Sequence, residues 1–217
     1  MADYAQSRRM MVDTQIRPSD VTEFPIIEAM LTVPRENFVP PAARQTAYAG
    51  EHIDLGGNRV ILDPRTLAKM LDALDFTGSE LVLDIGGALG YSSAVVARLA
   101  QAVVLLEEDH GLATEAQSAL SEAGSDNVVV HEGRLADGAA AYAPYDVIML
   151  QGGVGTLPEA ILEQLKEGGR VACLFVDGHL GELRVGYKID GDVSWRFAFN
   201  AGAPVLPGLE KQNAFTL

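Results

Sequence analysis

LVLDIGGALGYSSAVVARL, residues 81–99, is the segment from which the architecture follows. Leu81–Ile85 is apolar except for Asp84, too short for a helix and too continuous for a strand with one wet face, so it reads as a strand buried on both sides. Gly86, Gly87 and Gly90 then interrupt the run, and Ser92–Leu99 has the length and spacing of a helix. A strand passing through a glycine turn into a helix opens a βαβ unit. Comparable apolar runs recur at Val103–Leu106, Val128–Val130, Val147–Leu150 and Val171–Val176. Between them lie the helix candidates Leu112–Ala123 and Pro158–Leu165, the second closed by Glu167-Gly168-Gly169 as a C-cap. Alternation of this kind predicts an α/β fold with a doubly wound, mostly parallel sheet. Leu183–Ile189 and Val193–Phe199, joined by Asp190-Gly191-Asp192, read as an antiparallel hairpin added to its edge.

Upstream of residue 78 the hydrophobic period is helical instead. Ile26, Ile27, Met30 and Leu31 make one stripe, ended by Pro34; Leu67, Met70, Leu71 and Leu74 make another, ended by Gly78. Between them Gly56, Gly57 and Asn58 separate two short extended candidates, His52–Leu55 and Arg59–Leu62. The expected organisation is a small helical cap with a substrate-side loop over residues 1–78, followed by the sheet domain over 79–217, the two forming one compact unit.

Composition excludes several classes. With 48% hydrophobic and 21% charged residues the chain has an ordinary globular balance, and its 217 residues suffice for a large core. A formal charge of −14 repels phosphate backbones and anionic lipid, so neither nucleic acid nor a membrane surface is an expected partner. Neither a signal-peptide pattern nor a membrane-length apolar run occurs, which makes the cytoplasm the expected location. Cys173, the single cysteine, lies in an apolar run and reads as a core thiol. His52, His110, His131 and His179 show no metal-ligand spacing, so no metal is assigned.

The candidate chemistry gathers at the first glycine turn. In open α/β sheets ligands bind outside the carboxyl ends of the strands, and glycines there let the backbone approach them. Strand two ends in Glu107, about twenty residues on, where an acid can accept hydrogen bonds from both ribose hydroxyls of an adenosyl ligand. The bland alternative is a plain strand-to-helix turn beside a solvated acidic corner, Glu107-Glu108-Asp109. A nicotinamide site would need glycines at positions where the chain has Ala88 and Tyr91.

From Met11 to Gly169 the chain resembles the protein-L-isoaspartate O-methyltransferases. The resemblance runs through MVDTQIRPSDVTEFPIIEAMLTVPRENFVP, GGNRVILDPRTLAKMLDAL, VLDIGGALGYSSAVVARLA, VVLLEED and YDVIML with LPEAILEQLKEGGRV; the N-terminal tract is its specific part. It implies a Rossmann-like class I methyltransferase core, S-adenosylmethionine as cofactor, and methylation of isoaspartyl carboxyls in damaged proteins, a repair reaction. On that resemblance the cofactor seat falls on Asp84, Gly86, Gly87, Gly90, Glu107 and the position of Arg134, and the substrate side on Leu62, Asp63 and Arg65.

Three departures from the family pattern fall at this pocket. Ala88 replaces a loop glycine; if that position needs a positive φ, its Cβ costs on the order of 1–2 kcal/mol. Arg134, which cannot accept a hydrogen bond, stands where an acid would hold the adenine amino group, with Asp137 as a possible substitute. Leu62 replaces a serine, and Asp63 brings a negative charge toward the substrate carboxylate, a repulsion of roughly 4 kcal/mol at about 4 Å and an effective dielectric near 20. Arg59 and Arg65 flank Asp63 and are candidates to neutralise it or to clasp the incoming carboxylate; equally, Asp63-Pro64 is a good helix start. A family relative that has lost catalysis and acts as a scaffold, or one with a changed substrate, are the alternatives. Segment 203–217 is expected over the crevice, along the sheet edge or in a dimer contact.

Overall fold

The computed structural model describes residues 3–178 and 180–211, which leaves His179 and the tail beyond 211 outside the description. The N-terminal part supplies helices α1 (Tyr4–Met11), α2 (Phe24–Thr32) and α3 (Pro64–Leu74), with the two-stranded hairpin β1 (Ile53–Gly56) and β2 (Arg59–Ile61) between the last two. Then follow β3 (Leu81–Ile85), α4 (Tyr91–Val96), β4 (Ala102–Glu107), α5 (His110–Glu122), β5 (Val128–Glu132), β6 (Tyr145–Val154), α6 (Glu159–Glu163), β7 (Leu165–Asp177), β8 (Leu180–Ile189) and β9 (Asp192–Asn200). No helix among the described residues is long and apolar enough to cross a membrane.

Seven strands form one sheet in the order β5-β4-β3-β6-β7-β8-β9. The first five in that order are parallel neighbours, and β7-β8-β9 are antiparallel, as the apolar runs and the Asp190-Gly191 turn predicted. Both turn residues have positive φ, 55° and 85°, the backbone that a two-residue hairpin requires. Alternate side chains of each central strand feed two cores. Val82, Val103, Leu105, Val147 and Met149 pack with α1–α5, whereas Leu83, Ile85, Val104, Leu106 and Ile148 pack with α6 and the C-terminal segment. The first core runs unbroken from Met11 through Leu74 to Val185, so cap and sheet share their interior. Cys173 is buried in the second.

Several boundaries differ from the sequence reading, each for a local reason. Helix α5 begins at His110, two residues early, because Asp109 caps it by accepting from the Leu112 N–H at 2.9 Å. Helix α3 stops at Leu74, where Asp75 takes the left-handed conformation, before Gly78 is reached. The expected C-cap at Gly168 is corrected: α6 ends at Glu163, and Gly168 lies in the irregular start of β7, whose Leu165 is buried and already paired with Tyr145. The chain order reverses between β3 and β6, which opens the crevice at their carboxyl ends.

Candidate cofactor and substrate site

At the end of β3 the chain turns out of the sheet with positive φ at Gly86 (74°), Ala88 (51°) and Gly90 (90°). Ala88 therefore carries the Cβ strain its position implied. Gly86 has a steric reason as well: a Cβ there would lie 2.7 Å from Arg59 Nη1.

Asp84 is fully buried beneath this turn. Its Oδ2 accepts from the hydroxyls of Ser92 and Ser93, both at 2.6 Å, and its Oδ1 accepts from the Gln151 amide at 2.7 Å. Burial pushes its pKa up, and these three hydrogen bonds oppose the shift. The carboxylate thus ties β3, the first turn of α4 and the end of β6 together and positions the loop from below.

Glu107, at the tip of β4, is equally buried. Its Oε1 accepts from the main-chain N–H groups of Glu108 (3.0 Å) and Asp109 (3.1 Å), and its Oε2 from that of Ala88 (3.0 Å). The remaining position on Oε2 is taken by Arg59 Nη2 from β2, in a buried ion pair. Arg59 Nε and Nη1 have no partner although both are buried. Arg59 therefore turns to Glu107 rather than to Asp63, which corrects its expected place. Beside this pair lies a hollow of about 370 Å³ lined by Gly56, Gly57, Glu107, Glu108, Asp109 and Leu112 among others.

On the substrate side, Leu62 is buried and its carbonyl accepts from Arg35 Nη2 at 2.9 Å. Asp63 caps α3 by accepting from the Thr66 N–H at 2.9 Å, and His52 Nδ1 lies 3.4 Å from its other oxygen. Arg65 points to solvent on the first turn of α3. His52 also bridges to the Gly202 carbonyl at 2.7 Å, and from there the C-terminal segment crosses the end of β6: Gly153 N–H donates to Pro204 O (2.8 Å) and Leu206 N–H to Gly153 O (2.9 Å). Leu206 is buried against Gly86 and Gly152. Of the three places considered for this segment, its described part takes the one over the crevice.

The structure thus brings Asp84, Gly86, Gly87, Gly90 and Glu107 together around one loop, with Leu62 and Asp63 on the adjoining hairpin-to-helix connection. Arg134 is exposed, with Asp137 at 3.9 Å, although its neighbours place it beside the seat: Gly133 N–H donates to Glu107 O (3.0 Å) and Leu135 N–H to Glu108 Oε2 (3.2 Å). Ser92, Ser93, Gln151 and Leu206 were not singled out from sequence. The two serines carried a signal, since hydroxyls at the start of a helix that follows an acid-bearing strand can reach back to it, whereas Gln151 and Leu206 join the site only through the sheet.

A family model described as protein-L-isoaspartate(D-aspartate) O-methyltransferase matches residues 6–190. A protein-L-isoaspartate O-methyltransferase of Syntrophus aciditrophicus is 36% identical over 195 residues, 89% of each chain. One from Methanoregula boonei is 35% identical over 167 residues, 77% of each chain. Among solved structures, a protein-L-isoaspartate O-methyltransferase superposes with a TM-score of 0.81 at 25% identity, covering 94% of this chain and 67% of the other. A Plasmodium falciparum β-aspartate methyltransferase in complex with S-adenosyl-L-homocysteine gives 0.79 at 16% identity, covering 97% and 100%, a likeness of fold.

Proposed function

The chain belongs to the protein-L-isoaspartate O-methyltransferase family, whose members use S-adenosylmethionine, and from that premise we propose that it methylates isoaspartyl carboxyls in damaged proteins or peptides. The observation that carries the proposal is the pairing of the Gly86–Gly90 loop with Glu107 at the tip of the next strand. The seat offers an adenosyl group an acid and an adjoining hollow. The hollow beside Glu107 and Glu108 has the volume for a nucleoside, and Ala88 N–H, from the positive-φ loop, reaches Glu107 on its wall at 3.0 Å. Against it stand Arg59, which holds the acceptor on Glu107 that a ribose hydroxyl would use, and Leu206, which lies against Gly86.

When bound, the cofactor supplies a methyl group on a sulfonium, a strong electrophile. The chain's own residues have the simpler work of placement. Glu107 would fix the ribose, the Gly86–Gly90 loop would present its main chain to the cofactor, and Asp84 would hold the loop through Ser92, Ser93 and Gln151. The connection Leu62–Arg65 would present the substrate, with the exposed Arg65 a cation for its carboxylate. An isoaspartyl carboxylate is ionised at neutral pH and needs no base. Alignment of the two reactants can contribute roughly 7–11 kcal/mol, which accords with a site that offers placement and no catalytic triad. Arg134 offers adenine no acceptor, and we assign it at most a rim contact.

A second reading, a scaffold that keeps the fold without the chemistry, is favoured by the Arg59–Glu107 pair. Incubation with radiolabelled S-adenosylmethionine and an isoaspartyl peptide, with its aspartyl isomer as control, separates the two. Base-labile label on the isoaspartyl peptide alone is expected; label on neither peptide, with the protein folded and the cofactor bound, overturns the proposal.

A further inference from the structure

We propose that Arg59 sets how tightly this chain takes its cofactor: the guanidinium occupies the acceptor on Glu107 that the ribose hydroxyls need, and binding displaces it. This inference rests on the methyltransferase reading above and concerns the closed state of the same seat. A carboxylate offers about four acceptor positions, and all four on Glu107 are engaged. Three are held by main-chain N–H groups of Ala88, Glu108 and Asp109, which belong to the loop and helix start and cannot leave without unfolding them. The fourth is held by a side chain. Only Arg59 can yield.

Its own bonding favours yielding. Arg59 Nη2 has a partner, but Nε and Nη1 are buried without one, and Nη1 lies against Gly86, where a Cβ would come within 2.7 Å of it. A guanidinium left with unpaired buried donors is held loosely for so enclosed a group, and it gains by moving toward water. The route is open, since Arg59 itself lines the hollow shared with Gly56, Gly57, Glu108 and Asp109, and the last two are exposed acids that would receive the cation. Because the competitor is part of the chain it cannot be diluted away. Cofactor affinity is therefore lowered by a fixed factor, and the discrimination acts on the ribose hydroxyls in particular.

Calorimetric titration of the full chain and its Arg59→Gln variant with S-adenosylhomocysteine tests this, with adenosine and 2′,3′-dideoxyadenosine compared by ligand-observed NMR. Arg59→Gln is expected to bind S-adenosylhomocysteine at least tenfold more tightly, and to gain for adenosine but not for the dideoxy nucleoside. Wild-type binding with equal or weaker binding by a folded variant overturns the inference and leaves the methyltransferase reading standing. Absence of binding by both at millimolar ligand overturns both. Should the variant fail to fold, a crystal of the wild-type chain with S-adenosylhomocysteine decides: Arg59 swung off Glu107 supports displacement, and Arg59 still on Glu107 beside a bound ribose overturns it.

Discussion

At Asp84 two effects compete, and their balance can be measured. Burial opposes its charge, whereas Ser92, Ser93 and Gln151 all donate to it, so replacing the carboxylate leaves donors facing an amide. Asp84→Asn is expected to destabilise the fold by about 2–4 kcal/mol in urea unfolding, because orphaning buried donors outweighs the relief of desolvation. A neutral or stabilising result would mean that the donors find other partners. The difference between Asp84 and Arg59 also shows what a residue discloses before it is seen folded. Asp84 and Glu107 stand at strand ends next to loops, so their place follows from local order along the chain. The Arg59 contact spans 48 residues and depends on how the β1–β2 hairpin lies across the sheet, which spacing does not encode. Its nearest charged neighbour in sequence, Asp63, was the natural partner to expect, but that carboxylate is engaged by the Thr66 N–H.

Helix α3 carries the clearest contest between a structural and a functional role, because its cap is also the acid beside the substrate. Asp63→Ala removes the acceptor for Thr66 N–H and should cost about 1 kcal/mol in stability, whereas Asp63→Asn keeps a capping oxygen and should stay within about 0.5 kcal/mol of wild type. If the charge also repels an incoming carboxylate, Asp63→Asn lowers the KM for an isoaspartyl peptide while leaving kcat near its original value; an unchanged KM confines Asp63 to capping. Strands of the central sheet were legible because burial on both faces forces a continuous apolar run, as in Leu81–Ile85. Helix ends were less so: α5 starts where Asp109 caps it, and α6 yields to the pairing of Leu165 with Tyr145. Helix α1 has no apolar stripe to announce it in the sequence. Its sequence, YAQSRRMM, buries only Met11, and its anchor is tertiary, through Arg8 bonds to Tyr48 and to the Leu31 and Thr32 carbonyls.

Over the whole molecule, the helical cap and the sheet share one core, and a charged cluster ties them together at the end of α3. Arg170 on β7 donates to the carbonyls of Leu74 and Asp75 at the end of α3, and to Glu80 Oε1 at 2.9 Å just before β3. Glu80 in turn accepts from the Thr77 N–H (2.8 Å) and hydroxyl (2.9 Å) and from the Gly78 N–H (2.9 Å), so it closes the connection from cap to sheet. Burial alone would raise the Glu80 pKa, but the Thr77 and Arg170 hydrogen bonds prevail and bring it down to about 2. A carboxyl with a folded pKa below its unfolded value contributes stability that is fully present above the unfolded pKa and lost as pH falls through the folded one. For Glu80 that window runs from the ordinary value of 4.5 down to about 2. Glu80→Gln keeps the shape but surrenders the charge, and should lower stability at neutral pH by about 1.5–3 kcal/mol, the range for hydrogen bonds to a charged group. The variant should also flatten the fall in urea midpoint between pH 4.5 and 2, because the proton that wild type takes up there is no longer bound. The chain is near its isoelectric point at pH 4.5 and gains positive charge below it, so the other groups add a fall of their own, and the difference between the two proteins is the quantity to measure. Parallel curves for wild type and Glu80→Gln over that range would show that the clasp between cap and sheet does not depend on this carboxylate's charge.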